Sequence, residues 1–118
     1  MSDKIVINDS ELPIMKILWQ GDGLTSPEIF SGLDGNKNTL KTLLGRLVER
    51  GAVRVEEINR RNYRYFSVVT EADYVEGQRK TFIKKVFDGS AEKMLLNFVS
   101  EENISADALR RLVDLIEG

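Results

Sequence analysis

The sequence predicts a mainly α-helical chain with one small β-hairpin, on three observations. Apolar side chains recur at helix spacing in six separate segments, and the period drops to two only over residues 53–69. The composition, 42% apolar and 31% charged, is that of an ordinary soluble globular protein. At 118 residues the chain fits one domain, or one small domain with an appendage.

The first helix is expected over residues 10–20. Leu12, Met15 and Trp19 form one stripe with Ile14, Ile17 and Leu18 beside it, Asp9 or Ser10 is the cap, and Pro13 falls in the tolerant first turn. Gly21-Asp22-Gly23 breaks it. A shorter helix opens at Thr25, where Thr25 and Glu28 have capping-box spacing and Pro27 suits a first turn, and it runs to about Leu33. Asn36 caps a third helix over 37–50 whose inner face is Leu40, Leu43, Leu44, Leu47 and Val48, and Gly51 stops it. Val53 and Val55 then alternate with Arg54 and Glu56. After a polar turn, Tyr63, Tyr65 and Ser67 alternate with Arg64, Phe66 and Val68, which makes a hairpin.

From Thr70 the chain is helical again. Thr70 and Asp73 cap a helix over 71–87, Asp88-Gly89 ends it, Ser90 caps a short helix through Ser100, and Ser105 caps a last one. The change of pattern divides the chain into residues 1–70 and residues 71–118. Helix, helix, helix, hairpin is the order of a winged helix-turn-helix, so the expectation is a winged N-terminal domain followed by a C-terminal helical region.

There is no histidine and no cysteine. A thiol nucleophile, an imidazole base, a disulfide framework and the Cys/His zinc sites are all excluded. No nucleophile–base spacing, phosphate-cradling glycine loop or metal-ligand cluster stands out among the remaining residues, so the reading is of a non-enzyme without cofactor or metal. No apolar stretch reaches the roughly 18 residues of a membrane span, and the N-terminus lacks the pattern of a secretion signal. A cytoplasmic protein with no membrane insertion is therefore expected.

The net charge of −2 conceals a segregation. Residues 36–66 hold eight basic and three acidic side chains, a net of +5, whereas residues 71–118 hold seven basic and ten acidic, a net of −3. Opposite the leucine face of the third helix lie Asn38, Thr42, Gly45 and Glu49, with Thr39 and Arg46 on one flank and Lys41 on the other. Such a short, hydroxyl-rich face flanked by long cations suits a helix that enters the major groove of double-stranded operator DNA. Asn38, Thr39, Lys41, Thr42 and Arg46 are its candidate DNA-binding residues, with Arg46 suited to a bidentate guanine contact and Thr42 to a thymine methyl. Arg60 and Arg61, at the wing tip, are candidate phosphate contacts. Two alternatives stand beside this: arginines that merely face water, and a winged-helix protein–protein adaptor whose basic face meets an acidic partner.

The segment Thr39-Leu40-Lys41-Thr42-Leu43-Leu44-Gly45-Arg46-Leu47-Val48-Glu49-Arg50-Gly51-Ala52 resembles the recognition helix of the penicillinase and methicillin-resistance repressors and the copper-responsive repressors, the BlaI/MecI/CopY family. Ile14 to Trp19, Tyr63-Arg64-Tyr65-Phe66 and Leu95-Leu96-Asn97-Phe98-Val99 carry the resemblance along the whole chain. It implies a homodimeric repressor on a palindromic operator, dimerised through its C-terminal helices. The residues point the same way: Phe82, Ile83, Phe87, Leu95, Phe98, Leu109, Leu112, Val113 and Ile116 belong to a tail with more apolar side chains than three short helices can bury among themselves. Docking of the tail on the chain's own head is the alternative.

The resemblance also implies a switch. In β-lactam-responsive members a membrane sensor protease system triggers cleavage at an Asn-Phe bond in the tail, which corresponds here to Asn97-Phe98. Read without the family, that pair is a helix residue followed by a core aromatic. Copper-responsive members sense metal through a cysteine cluster, for which this chain has no residues. Leu12-Pro13 stands where the family pattern has an aromatic and an acidic residue.

Overall fold

The computed structural model describes residues 5–21, 23–101 and 105–117. Asp22, in the expected Gly21–Gly23 break, lies outside them. The chain runs α1 (Leu12–Gln20), α2 (Ser26–Ser31), α3 (Lys37–Glu49), β1 (Val53–Asn59), β2 (Asn62–Ser67), α4 (Glu71–Phe87), α5 (Ala91–Glu101) and α6 (Ala106–Glu117). It is mostly helical, with one two-stranded antiparallel hairpin. It divides into two compact units, Met1–Tyr74 and Val75–Gly118.

The start of α1 differs from expectation. Neither Asp9 nor Ser10 caps it; the N-cap is Glu11. Residues 8–11 form a turn of their own, in which the amides of Glu11 and Leu12 both donate to the Asn8 carbonyl at 2.9 and 3.0 Å. The Glu11 carboxylate folds back to accept the Asn8 amide at 2.9 Å. The helix therefore begins at Leu12, the first residue of its apolar stripe and two residues later than expected.

In α2 the capping box is complete: Thr25 accepts from the Glu28 amide and Glu28 reaches back to the Thr25 amide. The helix ends at Ser31, short of the expected Leu33, because Gly32 and Leu33 donate to carbonyls only three residues back and tighten the last turn.

Asn36 caps α3 by accepting the Asn38 amide at 2.7 Å. At the other end the Gly51 amide donates to Val48 at 3.1 Å and the Ala52 amide to Leu47 at 2.9 Å, a Schellman closure. Gly51 sits at φ 81°, which glycine reaches without a Cβ penalty. The chain passes from α3 into β1 across three residues.

Strands pair in the register Val53↔Ser67, Val55↔Tyr65 and Glu57↔Tyr63, closing at Asn59↔Asn62 with Arg60-Arg61 as the tip. An irregularity between Glu57 and Asn59 leaves Ile58 as the extra residue of a bulge. The root of the wing is fixed to the α1–α2 connection. Leu24 and Tyr65 exchange backbone hydrogen bonds of 3.2 and 2.8 Å, so the connection acts as a third short strand. Beside it, Gly23 has φ 71°, and a Cβ there would stand 2.9 Å from the Phe66 ring.

The core of this unit is built from Ile14, Met15 and Leu18 of α1, Ile29 of α2, Leu44 and Leu47 of α3, and Ala52 and Val53 at the start of the wing. Truncating a fully buried member such as Leu47 to Ala would cost about 2–5 kcal/mol. Trp19 of α1 donates through Nε1 to the Val69 carbonyl at 2.9 Å, and its ring lies 5.5 Å from that of Tyr74.

In the tail, Thr70, Ser90 and Ser105 each accept a hydrogen bond from the amide three residues on, as the three caps predict. Within the second unit Ile83 is buried, and the rings of Phe82 and Phe87 meet edge-on at 5.7 Å.

Candidate nucleic-acid interface

The angular sorting of α3 is realised in the fold. Leu40, Leu44 and Leu47 are buried, and Leu43 is half-buried. Asn38, Thr39, Lys41, Thr42, Gly45, Arg46 and Glu49 are all exposed. The Thr42 hydroxyl donates to the Asn38 carbonyl one turn back at 3.0 Å, so its proton is committed to the helix.

The eight cations of residues 36–66 are not equivalent. Arg50 turns inward: it pairs with the buried carboxylate of Glu11 and donates to the Val6 carbonyl at 2.6 Å. Arg54 lies 4.4 Å over the Phe66 ring and pairs with Glu56 at 2.6 Å. Arg64 donates to the Gly23 carbonyl at 2.7 Å and stands 3.8 Å from Glu28. Lys37, Lys41, Arg46, Arg60 and Arg61 carry no ion pair among the described residues. These five lie on α3 and at the wing tip, so the usable positive charge coincides with the two surfaces the sequence singled out. The three remaining arginines brace the scaffold.

The wing tip is conformationally unusual. Arg61 has φ 65°, in the left-handed region that Gly and Asn occupy most readily. A β-carbon there costs about 1–2 kcal/mol. In α2, the Glu28 carboxyl titrates below the usual carboxylate range. The Thr25 amide and hydroxyl both donate to the carboxylate at 2.9 Å, and the nearby Arg64 guanidinium adds to the effect.

Between α3 and the wing runs a trough of about 330 Å³. Phe30, Leu44, Val48, Val55 and Tyr65 form its apolar lining, and Ser26, Lys41 and Gly45 complete it. A second hollow of about 550 Å³, lined by α2, the α2–α3 turn and the first turn of α3, shares Ser26, Phe30 and Lys41 with it. Among the described residues no group of acidic side chains could hold a metal ion, and no helix is long and apolar enough to cross a membrane.

The family model described as penicillinase repressor matches residues 7–118. The chain belongs to the penicillinase repressor family. It is 27% identical to the penicillinase repressor of Bacillus licheniformis over 115 residues, covering 94% of this chain and 89% of the relative. It is 29% identical to the methicillin resistance regulatory protein MecI of Staphylococcus aureus (strain N315) over 114 residues, covering 93% and 92%. The solution structure of the DNA binding domain of the repressor BlaI superposes with a TM-score of 0.54 at 28% identity, over 63% of this chain and 94% of that one. The winged-helix fold is thereby shared with a solved member of the family.

In the tail, Phe82 is exposed, Phe87, Leu95, Phe98, Leu109 and Leu112 are half-buried, and Ile83 is buried. The side chains of Val113 and Ile116 lie outside those described. Val75, Val86, Leu96 and Val99 are further exposed apolar residues. The Asn97-Phe98 bond lies inside α5, with Asn97 exposed. Sequence reasoning missed the Glu11–Arg50 pair and the trough. A lone acid ahead of a helix carries no signal of burial, and the trough depends on how α3 and the hairpin face each other.

Proposed function

We propose that the chain is a homodimeric, sequence-specific repressor that binds a palindromic operator in double-stranded DNA through α3 and the wing. The observation that carries this is the placement of Lys37, Lys41, Arg46, Arg60 and Arg61, the cations of the basic segment without an ion pair among the described residues, on the outer surface of α3 and the wing tip. Asn38, Thr39, Lys41, Thr42 and Arg46 face the major groove, with Lys41 on the flank that reaches the strand bounding it, and Arg60 and Arg61 meet phosphate. The relatives are named repressors and a resistance regulator, and the solved relative is named a DNA binding domain, which supports the same reading.

Dimerisation is assigned to residues 71–118. Its support is the apolar surface that α4 and α5 leave exposed at Val75, Phe82, Val86, Leu96 and Val99. Joining two reading heads raises affinity through effective concentration, so cleavage at Asn97-Phe98 by a membrane sensor protease system, separating the end of α5 and all of α6, would release DNA.

Three measurements test this. The full chain should shift a duplex from the promoter of its own operon at moderate salt, with a Kd that weakens steeply as salt rises; no specific shift would favour the adaptor reading. Sedimentation at micromolar concentration should return a dimer, and a monomer would refute that assignment. In the native host exposed to a β-lactam, intact-mass analysis should show fragments ending at Asn97; derepression with unchanged mass would remove the cleavage step.

A further inference from the structure

Gly45 stands near the middle of α3 without a structural reason inside the chain. A Cβ added there meets no atom within 4 Å beyond its own stretch of helix, so packing does not demand glycine. Glycine in a helix interior costs about 0.5–1 kcal/mol relative to alanine. The residue is exposed and lines the trough together with Lys41 and Val48, four residues before and three after it on the same flank of α3. That flank looks toward Val55 and Tyr65 of the wing.

We propose that this trough seats one deoxyribose-phosphate of the bound DNA strand, and that Gly45 is the residue that keeps the seat open. The inference rests on the reading of α3 and the wing as the DNA-binding surface, and adds to it where one strand passes between the two. The chemistry of the lining matches that occupant. The apolar floor of Phe30, Val48, Val55 and Tyr65 suits the C–H face of a sugar, while the unpaired Lys41 and the Ser26 hydroxyl suit the flanking phosphates. A volume of about 330 Å³ lies at the small end of the range of roughly 300–1,000 Å³ for ligand sites, which fits a single sugar-phosphate better than a larger organic ligand.

The track also continues beyond the trough. Tyr63 lies two residues along β2 from Tyr65, hence on the same face of the hairpin, and it is 46% exposed. It leads from the trough toward Arg61 and Arg60. A phenol and two guanidiniums in line beyond the seat provide for the next phosphates of the same strand.

Hydroxyl-radical footprinting of the full chain reads this directly, because the radical attacks deoxyribose hydrogens. The duplex is one selected by the wild-type chain from a random-sequence pool, and the variants are Gly45→Ala and Gly45→Leu at saturating protein. Both should unfold at or above the wild-type temperature, since each improves helix propensity and the Cβ enters open space. Gly45→Leu should lose about tenfold or more in affinity. At saturation, reactivity should return at one sugar beside the recognition helix in each half-site while the other protections stay. An unchanged footprint and affinity in a folded Gly45→Leu chain overturns the seat and leaves the DNA-binding reading intact. Loss of every protection together also overturns it, because the glycine then serves docking of the whole helix. Failure of the wild-type chain to select any duplex overturns both readings.

Discussion

The guanidinium of Arg50, at the end of α3, closes on the carboxylate of Glu11, the fully buried N-cap of α1. The same guanidinium holds the Val6 carbonyl, so one side chain joins the N-terminal segment, α1 and α3. Both carboxylate oxygens of Glu11 are satisfied, one by Arg50 and one by the Asn8 amide. A buried acid so fully partnered depends on its cation.

Arg50→Ala should therefore lower unfolding free energy by about 2–3 kcal/mol, somewhat below the cost for wholly buried pairs because Arg50 is 30% exposed. Arg50→Lys should recover only part of that, since an ammonium lacks the fork that reaches Glu11 and Val6 together. Urea denaturation with an unchanged m-value checks both. A loss below half a kcal/mol for the alanine variant would show that the pair does not brace the fold.

Arg61→Gly should raise stability by about 1 kcal/mol by relieving the left-handed backbone at the wing tip. The same change should weaken operator binding and reduce the slope of log K against log salt by about one phosphate contact per protomer, near 1.8 for the dimer. A gain in stability accompanied by a loss of affinity is the expected signature of strain retained for function. Thermal unfolding and salt-titrated anisotropy measure the two sides.

Arg46→Ala and Lys41→Ala should fail in different ways. Removing Arg46 should relax preference at one guanine in each half-site and cost about 1–3 kcal/mol per half-site on the preferred sequence alone. Removing Lys41 should weaken all sequences alike and lower the salt slope. Competition against single-base operator variants separates them, and identical profiles for the two variants would refute the division of roles.

Glu28 makes the α2 capping box dependent on pH. Its folded-state pKa is depressed by the donors on Thr25, with Arg64 adding to the effect. The stabilisation is then fully present above the ordinary glutamate range and is lost as pH falls through the lowered folded value. An NMR titration should place the Glu28 midpoint below that of an unstructured glutamate. Thr25→Ala should move it upward and fray α2, and an unmoved midpoint would show that the hydroxyl contributes nothing.

Most element boundaries were legible because their signals are local. Asn36, Thr25 with Glu28, Ser90 and Ser105 each announce a cap within three residues of chain. The outer face of α3 was legible for the same reason, since helix periodicity alone sorts Leu44 inward and Thr42 outward. What could not be read depended on distant chain. Arg50, Arg54 and Arg64 look like Arg46 in the sequence, and only the fold brings Glu11, Phe66 and Gly23 to them. The true start of α1 was hidden because Glu11 uses its side chain backward, on Asn8, instead of on the helix it precedes.

Trp19 is the chain's single tryptophan, and it sits where α1 meets the first turn of α4, bonded to the Val69 carbonyl and packed on Tyr74. The protein thus contains its own fluorophore at the point where the first unit ends. Its emission should shift to the red when the contact between α1 and the first turn of α4 loosens, with no label attached, so the integrity of that contact within the first unit can be followed in a cuvette while DNA, salt or a protease is added.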